Sequence, residues 1–191
     1  MKTLQNILFI FVSTCLLSSV SFAQKQYAND VFKTVTTLNA KNLMRQNKKN
    51  LSALHFNHPL NIVTPKQTIK LQVAIAQQPA KMARGLMFVK QMDKHQGMLF
   101  VYKQPKKRGF WMKNTLIPLD ILFINASRKI VDIQTMLPCE TFHCVHYRSK
   151  QPAKYALEIN GGLAKRWEVQ VGNSVVMPAA TAYEKHAKSI S

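Results

Sequence analysis

The segment PLDILFI (118–124) constrains the fold more than any other stretch of the chain. Side chains alternate between the two faces of a strand, so Leu119, Ile121 and Phe123 share one face and Asp120, Leu122 and Ile124 the other. Both faces are apolar, which predicts a strand covered on both sides. Asp120 then begins a buried strand, and a buried carboxylate is costly unless it is paired and hydrogen-bonded. The preceding stretch FWMKNT (110–115) offers Lys113, Asn114 and Thr115 as partners, and Arg84 is a further one.

Two readings of this cluster follow. In one, Asp120 caps a turn by accepting hydrogen bonds from backbone N–H groups and from Asn114, as Asx residues do at tight turns. In the other, a polar pocket opens at the sheet rim. Trp111 is its flat apolar floor, Lys113, Asn114 and Asp120 are its hydrogen-bonding walls, and Arg84 turns toward it. That composition suits a sugar or a small anion. A hydrolase acting on envelope glycans is the rival from another class. It needs two opposed carboxyl groups, and among Asp120, Asp132, Glu140, Glu158 and Glu168 the pair to test is Asp120 with Glu158. A third reading is an accessory protein whose basic face docks on a partner while the polar cluster is purely structural. No G-x-S-x-G elbow, P-loop or H-E-x-x-H motif occurs, so the sequence implies no cofactor.

Around this segment the pattern is that of a small β domain over 65–178. In IKLQVAIA (69–76), Ile69, Leu71, Val73 and Ile75 alternate with other residues, which predicts a half-buried strand. Pro79 opens a helix running to about Lys90, with Gly85 in its middle as a packing position. GMLFVY (97–102) is a strand, QPKKRG (104–109) a basic turn, and 118–124, NASRK and 130–136 a hairpin. KYALEI (154–159) and NSVVM (173–177) are further strands, separated by a short helix from Gly161-Gly162 to Trp167. About seven short strands with two short helices predict a mostly β (α+β) domain, a compact antiparallel barrel or sandwich.

The ends differ in character. Lys2 followed by ILFIFVSTCLLSSV (7–20) and Ser21-Phe22-Ala23 has the form of a signal peptide over 1–23, cleaved before Gln24. The apolar run is short for a spanning helix, and Thr14 before Cys15 is a poor fit to a lipoprotein site. An exported, periplasmic or secreted monomer is expected. Residues 24–64 form a prefix rich in Lys, Asn and Gln, with a helical turn or two around 30–45, and 179–191 form a polar tail. The net charge of +19 predicts attraction to anionic partners: lipid headgroups at a membrane surface, acidic wall polymers, polyanionic glycans. No aromatic-interleaved basic motif or helix-turn-helix pattern points to nucleic acid.

PCETFHC (138–144) places four residues between Cys139 and Cys144 in a Pro-containing loop, and in an oxidising compartment a disulfide is the default. A zinc site from both cysteines with His143 and His146 competes poorly, because His143 and Cys144 are adjacent and no C-x2-C spacing occurs. Met82, Met87, Met92, Met98 and Met112 surround His95 in sequence, which raises copper(I). Met87 and Met98 lie within GLMF and GMLF, however, and read as core. No metal is assigned.

Four phrases stand together in order and spacing: RGLMF (84–88), GMLF (97–100), FWMKNT with PLD (110–120) and YALEINGG (155–162). Over roughly 66–177 the chain closely resembles the domain-of-unknown-function-192 family, small β-rich bacterial and archaeal proteins, often exported. The resemblance implies the compact β fold and no particular reaction. Two features depart from the family pattern: Gly172-Asn173 stands where Gly-Asp is common in the last turn, and the basic prefix is an addition.

Overall fold

The computed structural model describes residues 22–52, 54–139 and 144–177. The tail 179–191, residues 1–21 of the expected signal segment, Glu140 and His143 lie outside the described residues. The chain divides into two units, Met1–Gln46 and Asn47–Ser191.

Helix α1 (Phe22–Ser52) accounts for the described part of the first unit. It is far longer than the turn or two expected. Residues 22–52 contain neither glycine nor proline, and Lys, Gln, Ala, Leu and Arg all support helix. Val31, Val35 and Leu38 recur at helical spacing inside a composition that reads as solvated linker. Thr36 and Thr37 donate their hydroxyls back to the carbonyls of Phe32 and Lys33, at 2.9 and 2.8 Å.

The second unit is the β domain. Its strands are β1 (His58–Val63), β2 (Thr68–Ala76), β3 (Gln96–Lys106), β4 (Gly109–Phe110), β5 (Leu119–Ile124), β6 (Ile130–Met136), β7 (Tyr147–Arg148), β8 (Ala153–Asn160) and β9 (Ser174–Val176). Two short helices, α2 (Pro79–Arg84) and α3 (Leu163–Arg166), complete it. Seven strands form one sheet in the order β6-β5-β8-β3-β2-β1-β9, and β4 pairs with β7 as a separate ribbon. The sheet curls until its ends meet. Val175 N–H donates to Arg128 O at 2.9 Å and Ile130 N–H to Asn173 O at 3.0 Å, beside a bridge between Lys129 and Ser174. The mostly β, barrel-like expectation holds, with two amendments. β1 precedes Pro65, its Leu60 and Ile62 turned inward. One neighbouring pair, β2 with β3, is parallel, because the intervening chain with α2 is long enough for the crossover that parallel strands require.

β5 is buried at every residue. Leu122 and Ile124 join the interior cluster with Leu60, Leu71, Val73 and Leu157. Ile121 and Phe123 join an outer cluster with Met98, Phe100, Met112 and Ala156. The segments 85–95 and 110–118 contribute Leu86, Val89, Met92 and Met112 to that outer layer, and Phe88 N–H donates to Asn114 O at 2.9 Å to tie them together. α2 ends at Arg84 instead of running to Lys90. Gly85 therefore lies past the helix end and not in its middle. Its φ is +49°, a conformation glycine adopts without penalty, and its N–H closes on Lys81 O at 2.9 Å.

Candidate functional site

Asp120 faces the interior of the curled sheet and is 1% exposed. One carboxylate oxygen accepts the Thr135 hydroxyl at 2.7 Å, from the residue directly opposite on β6. The other accepts Ala164 N–H at 2.8 Å, in the first turn of α3, where backbone donors have no partner within the helix. Asp120 thus pins β5, β6 and α3 together. It meets none of Lys113, Asn114, Thr115 and Arg84, the partners expected from sequence. Lys113, Asn114 and Arg84 are exposed on segments outside the sheet and Thr115 is buried in a turn closed on Met112, whereas strand alternation turns Asp120 inward.

Glu158 faces the other way. β5 and β8 pair with Asp120 opposite Ile159 and Ile121 opposite Glu158, which puts the two carboxyl groups on opposite faces of the sheet. They cannot flank one scissile bond, so the two-carboxylate hydrolase reading fails on register alone. Glu158 is 5% exposed, set between Ile121 on β5 and Met98 on β3. Among the described residues no hydrogen-bond donor reaches its carboxyl group. Burial pushes its pKa up to about 8. Tyr102, on the same face of β3, is also held up, to about 12. Burial is the main cause, Glu158 adds to it, and Arg108 opposes it. The Arg108 guanidinium lies 3.7 Å above the Tyr102 ring and donates to the carbonyls of Gln104 and Ala153.

The β4–β7 ribbon builds the rim. Gly109 lies opposite Arg148 and Phe110 opposite Tyr147. Phe110 is driven into the outer layer, its ring edge-on to Phe100 at 5.0 Å and to Phe123 at 5.8 Å. Alternation then turns the next residue outward, and Trp111 is 48% exposed. Its indole lies 6.2 Å from the His146 ring at a tilt of 31°, and Lys113 Nζ stands 5.7 Å from the indole centroid. Asn114, at φ +57°, gives its carbonyl to Phe88, while its side chain is exposed with Nδ2 4.0 Å from Met87 Sδ. Arg84 is exposed at the end of α2. The structure therefore brings Lys113 and His146 to Trp111, sets Asn114 beside Met87, and removes Asp120. His146 was visible in the sequence only as a weak zinc ligand. What places it is β7, a strand of two residues, too short for any periodicity to reveal.

The disulfide Cys139–Cys144 is present, with 5.4 Å between Cα atoms, and Tyr147 Oη accepts Leu137 N–H at 3.1 Å beside it. Among the described residues no group of three or more His, Cys, Asp or Glu side chains is placed to hold a metal ion. Met92, Met98 and Met112 fill the outer core, while His95 stacks on Trp167 at 6.0 Å. The four sequence phrases converge on the outer layer through Leu86, Met98, Phe100, Met112 and Glu158.

No curated protein matches the chain. A protein of unknown function from Novosphingobium aromaticivorans is 31% identical over 62% of this chain and 83% of its own, with a TM-score of 0.58. A candidate transcription regulator from Sinorhizobium meliloti is 33% identical over 63% of this chain and 92% of its own, with a TM-score of 0.59. The family profile of domain of unknown function 192, described as uncharacterized ACR, matches residues 61–177, and the chain belongs to that family.

Proposed function

We propose that this protein is an exported binding module that takes an anionic, sugar-like component of the cell envelope on the Trp111 rim. The observation that carries this reading is the half-exposed indole with a cation and an imidazole beside it. A flat aromatic face accepts the apolar face of a sugar ring, and Lys113 supplies a charge for a carboxylate or phosphate. Phe110 clamps the platform to the outer core, so little ordering is required on binding. The disulfide suits an oxidising compartment, as the apolar stretch 7–20 suits export. Binding is favoured over hydrolysis because the one candidate acid pair is split across the sheet.

Calorimetric titration with galacturonate oligomers and with neutral glucose oligomers tests the reading. The anionic series binds and the neutral one does not. Trp111→Ala abolishes the heat while the fold survives. Lys113→Ala weakens binding by about tenfold, the worth of one charge-assisted hydrogen bond. Equal affinity in Trp111→Ala and wild type would sink the proposal.

A further inference from the structure

The Trp111 platform is one end of a longer surface. Leu116, Leu137 and Val145 are 48%, 62% and 64% exposed. Leu137 and Val145 flank the disulfide, which brings residues 137–139 and 144–146 together beside His146 and hence beside Trp111. At the other end of the ribbon the charge changes. Lys106 lies opposite Ala153 on β8 and Arg148 opposite Gly109, so Lys106, Lys107, Arg148 and Lys150 gather where β3, the ribbon and β8 meet. All four are exposed. Their local carboxylate is Asp132, which is buried, accepts Lys150 N–H at 3.1 Å and sits 3.7 Å from Lys150 Nζ. The exposed carboxylates among the described residues of this unit are Asp93 and Glu168. Asp93 accepts the N–H of His95, and Glu168 is bridged to Lys66.

Exposed apolar side chains next to the exposed cations Lys106, Lys107 and Arg148 favour one kind of partner. Protein interfaces are depleted in lysine. A headgroup layer instead presents phosphates to cations without demanding exact geometry, and tryptophan settles at its boundary with the acyl chains. We infer that the ribbon face docks on an anionic lipid bilayer. Trp111, Leu137 and Val145 enter the headgroup boundary, and Lys106, Lys107 and Arg148 lie over the phosphates. This deepens the binding reading above and rests on it, because a phosphate joined to a polyol is then the anionic, sugar-like group that Trp111 meets.

The test is co-sedimentation of the full chain with vesicles of phosphatidylcholine alone, or of equal parts phosphatidylcholine and phosphatidylglycerol. The galacturonate titration runs in parallel. Wild type sediments with the anionic vesicles only, and less so in high salt. Each cation near an anionic surface contributes about fivefold to partitioning, so Lys106→Ser with Lys107→Ser lowers it about twenty-five-fold. Leu137→Ser with Val145→Ser lowers it by about tenfold through lost apolar burial. Both pairs leave the galacturonate titration unchanged. Galacturonate binding without vesicle binding would overturn the bilayer inference and leave the binding module standing. Vesicle binding indifferent to Leu137→Ser with Val145→Ser would reduce the effect to adsorption of a chain of charge +19, and the inference fails. Sedimentation without vesicles would assign the face to a second copy of the chain, which also refutes it. Trp111→Ala that alters neither assay overturns both proposals.

Discussion

Replacing Glu158 by glutamine isolates the cost of burying a carboxyl group without donors. In the folded chain burial lifts its pKa from 4.5 to about 8. In the unfolded chain it returns to the lower value. Above pH 4.5 the unfolded state releases a proton that the folded state keeps, so each rise in pH favours unfolding. The contribution to stability is complete below the unfolded pKa, falls across the window, and is gone once the pH passes the folded pKa. One proton gives a slope of about 1.4 kcal/mol per pH unit. Between 4.5 and about 8 the loss approaches about 5 kcal/mol, a large share of the stability of a domain this size.

Glutamine keeps the shape of the protonated acid and carries no titratable proton. Urea unfolding followed by circular dichroism, with the disulfide intact, gives the stability of both proteins at several pH values inside that window. Every other titrating group is common to the two and cancels in the difference. The stability of Glu158→Gln relative to wild type rises by about 1.4 kcal/mol for each pH unit. Parallel curves would refute the reasoning: the carboxyl group would then be reached by water or by a donor, and the outer layer would not be sealed over it.

Asp120→Ala removes the acceptor of both the Thr135 hydroxyl and the Ala164 N–H, so the buried Ala164 N–H is left without its partner. It lowers stability by about 3 kcal/mol in the same unfolding assay, and a loss below about 1 kcal/mol would contradict the pinning role. Gly97→Ala places a Cβ 2.6 Å from the Glu158 carbonyl oxygen and 3.1 Å from Ile159 Cγ2, forcing β3 and β8 apart. It costs about 1–3 kcal/mol, and an unchanged urea midpoint would show that the close approach is not rigid. Replacing both Cys139 and Cys144 by serine removes a six-residue loop closure and lowers stability by about 2 kcal/mol, read against the wild type with its bond confirmed by mass.

Much of the sheet was legible because its rules are local. PLDILFI announced a strand buried on both faces, and β5 is that strand. The segments 69–76, 130–136 and 154–159 likewise carried their strand character in a few residues, and β2, β6 and β8 occupy them. The crossing of β2 beside β3 in parallel was not legible, since direction depends on which strands become neighbours and not on their composition. Helix α1 was underestimated because its Lys- and Asn-rich surface hides the spacing of Val31, Val35 and Leu38. The candidate site was half legible. Lys113 stands beside Trp111 as their proximity in sequence suggested, whereas Asn114 sits beside Met87. Asp120 left the site because one step along a strand reverses the face, and His146 entered it through a pairing thirty-five residues away in sequence.

The same alternation is why the proposed recognition is assigned to the ribbon. β5 faces the interior with Leu122 and the outer layer with Phe123, and both sides are filled. Asp120 and Glu158 are spent inside those layers, one fully hydrogen-bonded and one kept protonated by burial. A sheet buried on both faces has little surface left for a ligand, so contact with a partner falls to the segments that cover it. Of these, the ribbon is anchored by an aromatic side chain set between two core aromatics. Phe110 fills a place against Phe100 and Phe123, next to the Glu158 layer, and its neighbour Trp111 must point away. Swapping the two residues, Phe110→Trp with Trp111→Phe, would force an indole into a space packed for a phenyl ring and loosen the platform from the core. Such a variant loses both stability and galacturonate binding, whereas Trp111→Ala loses binding alone. If the swapped ribbon bound as well as wild type, the anchor would be irrelevant, and the rigidity invoked for the Trp111 site would have no source in the fold.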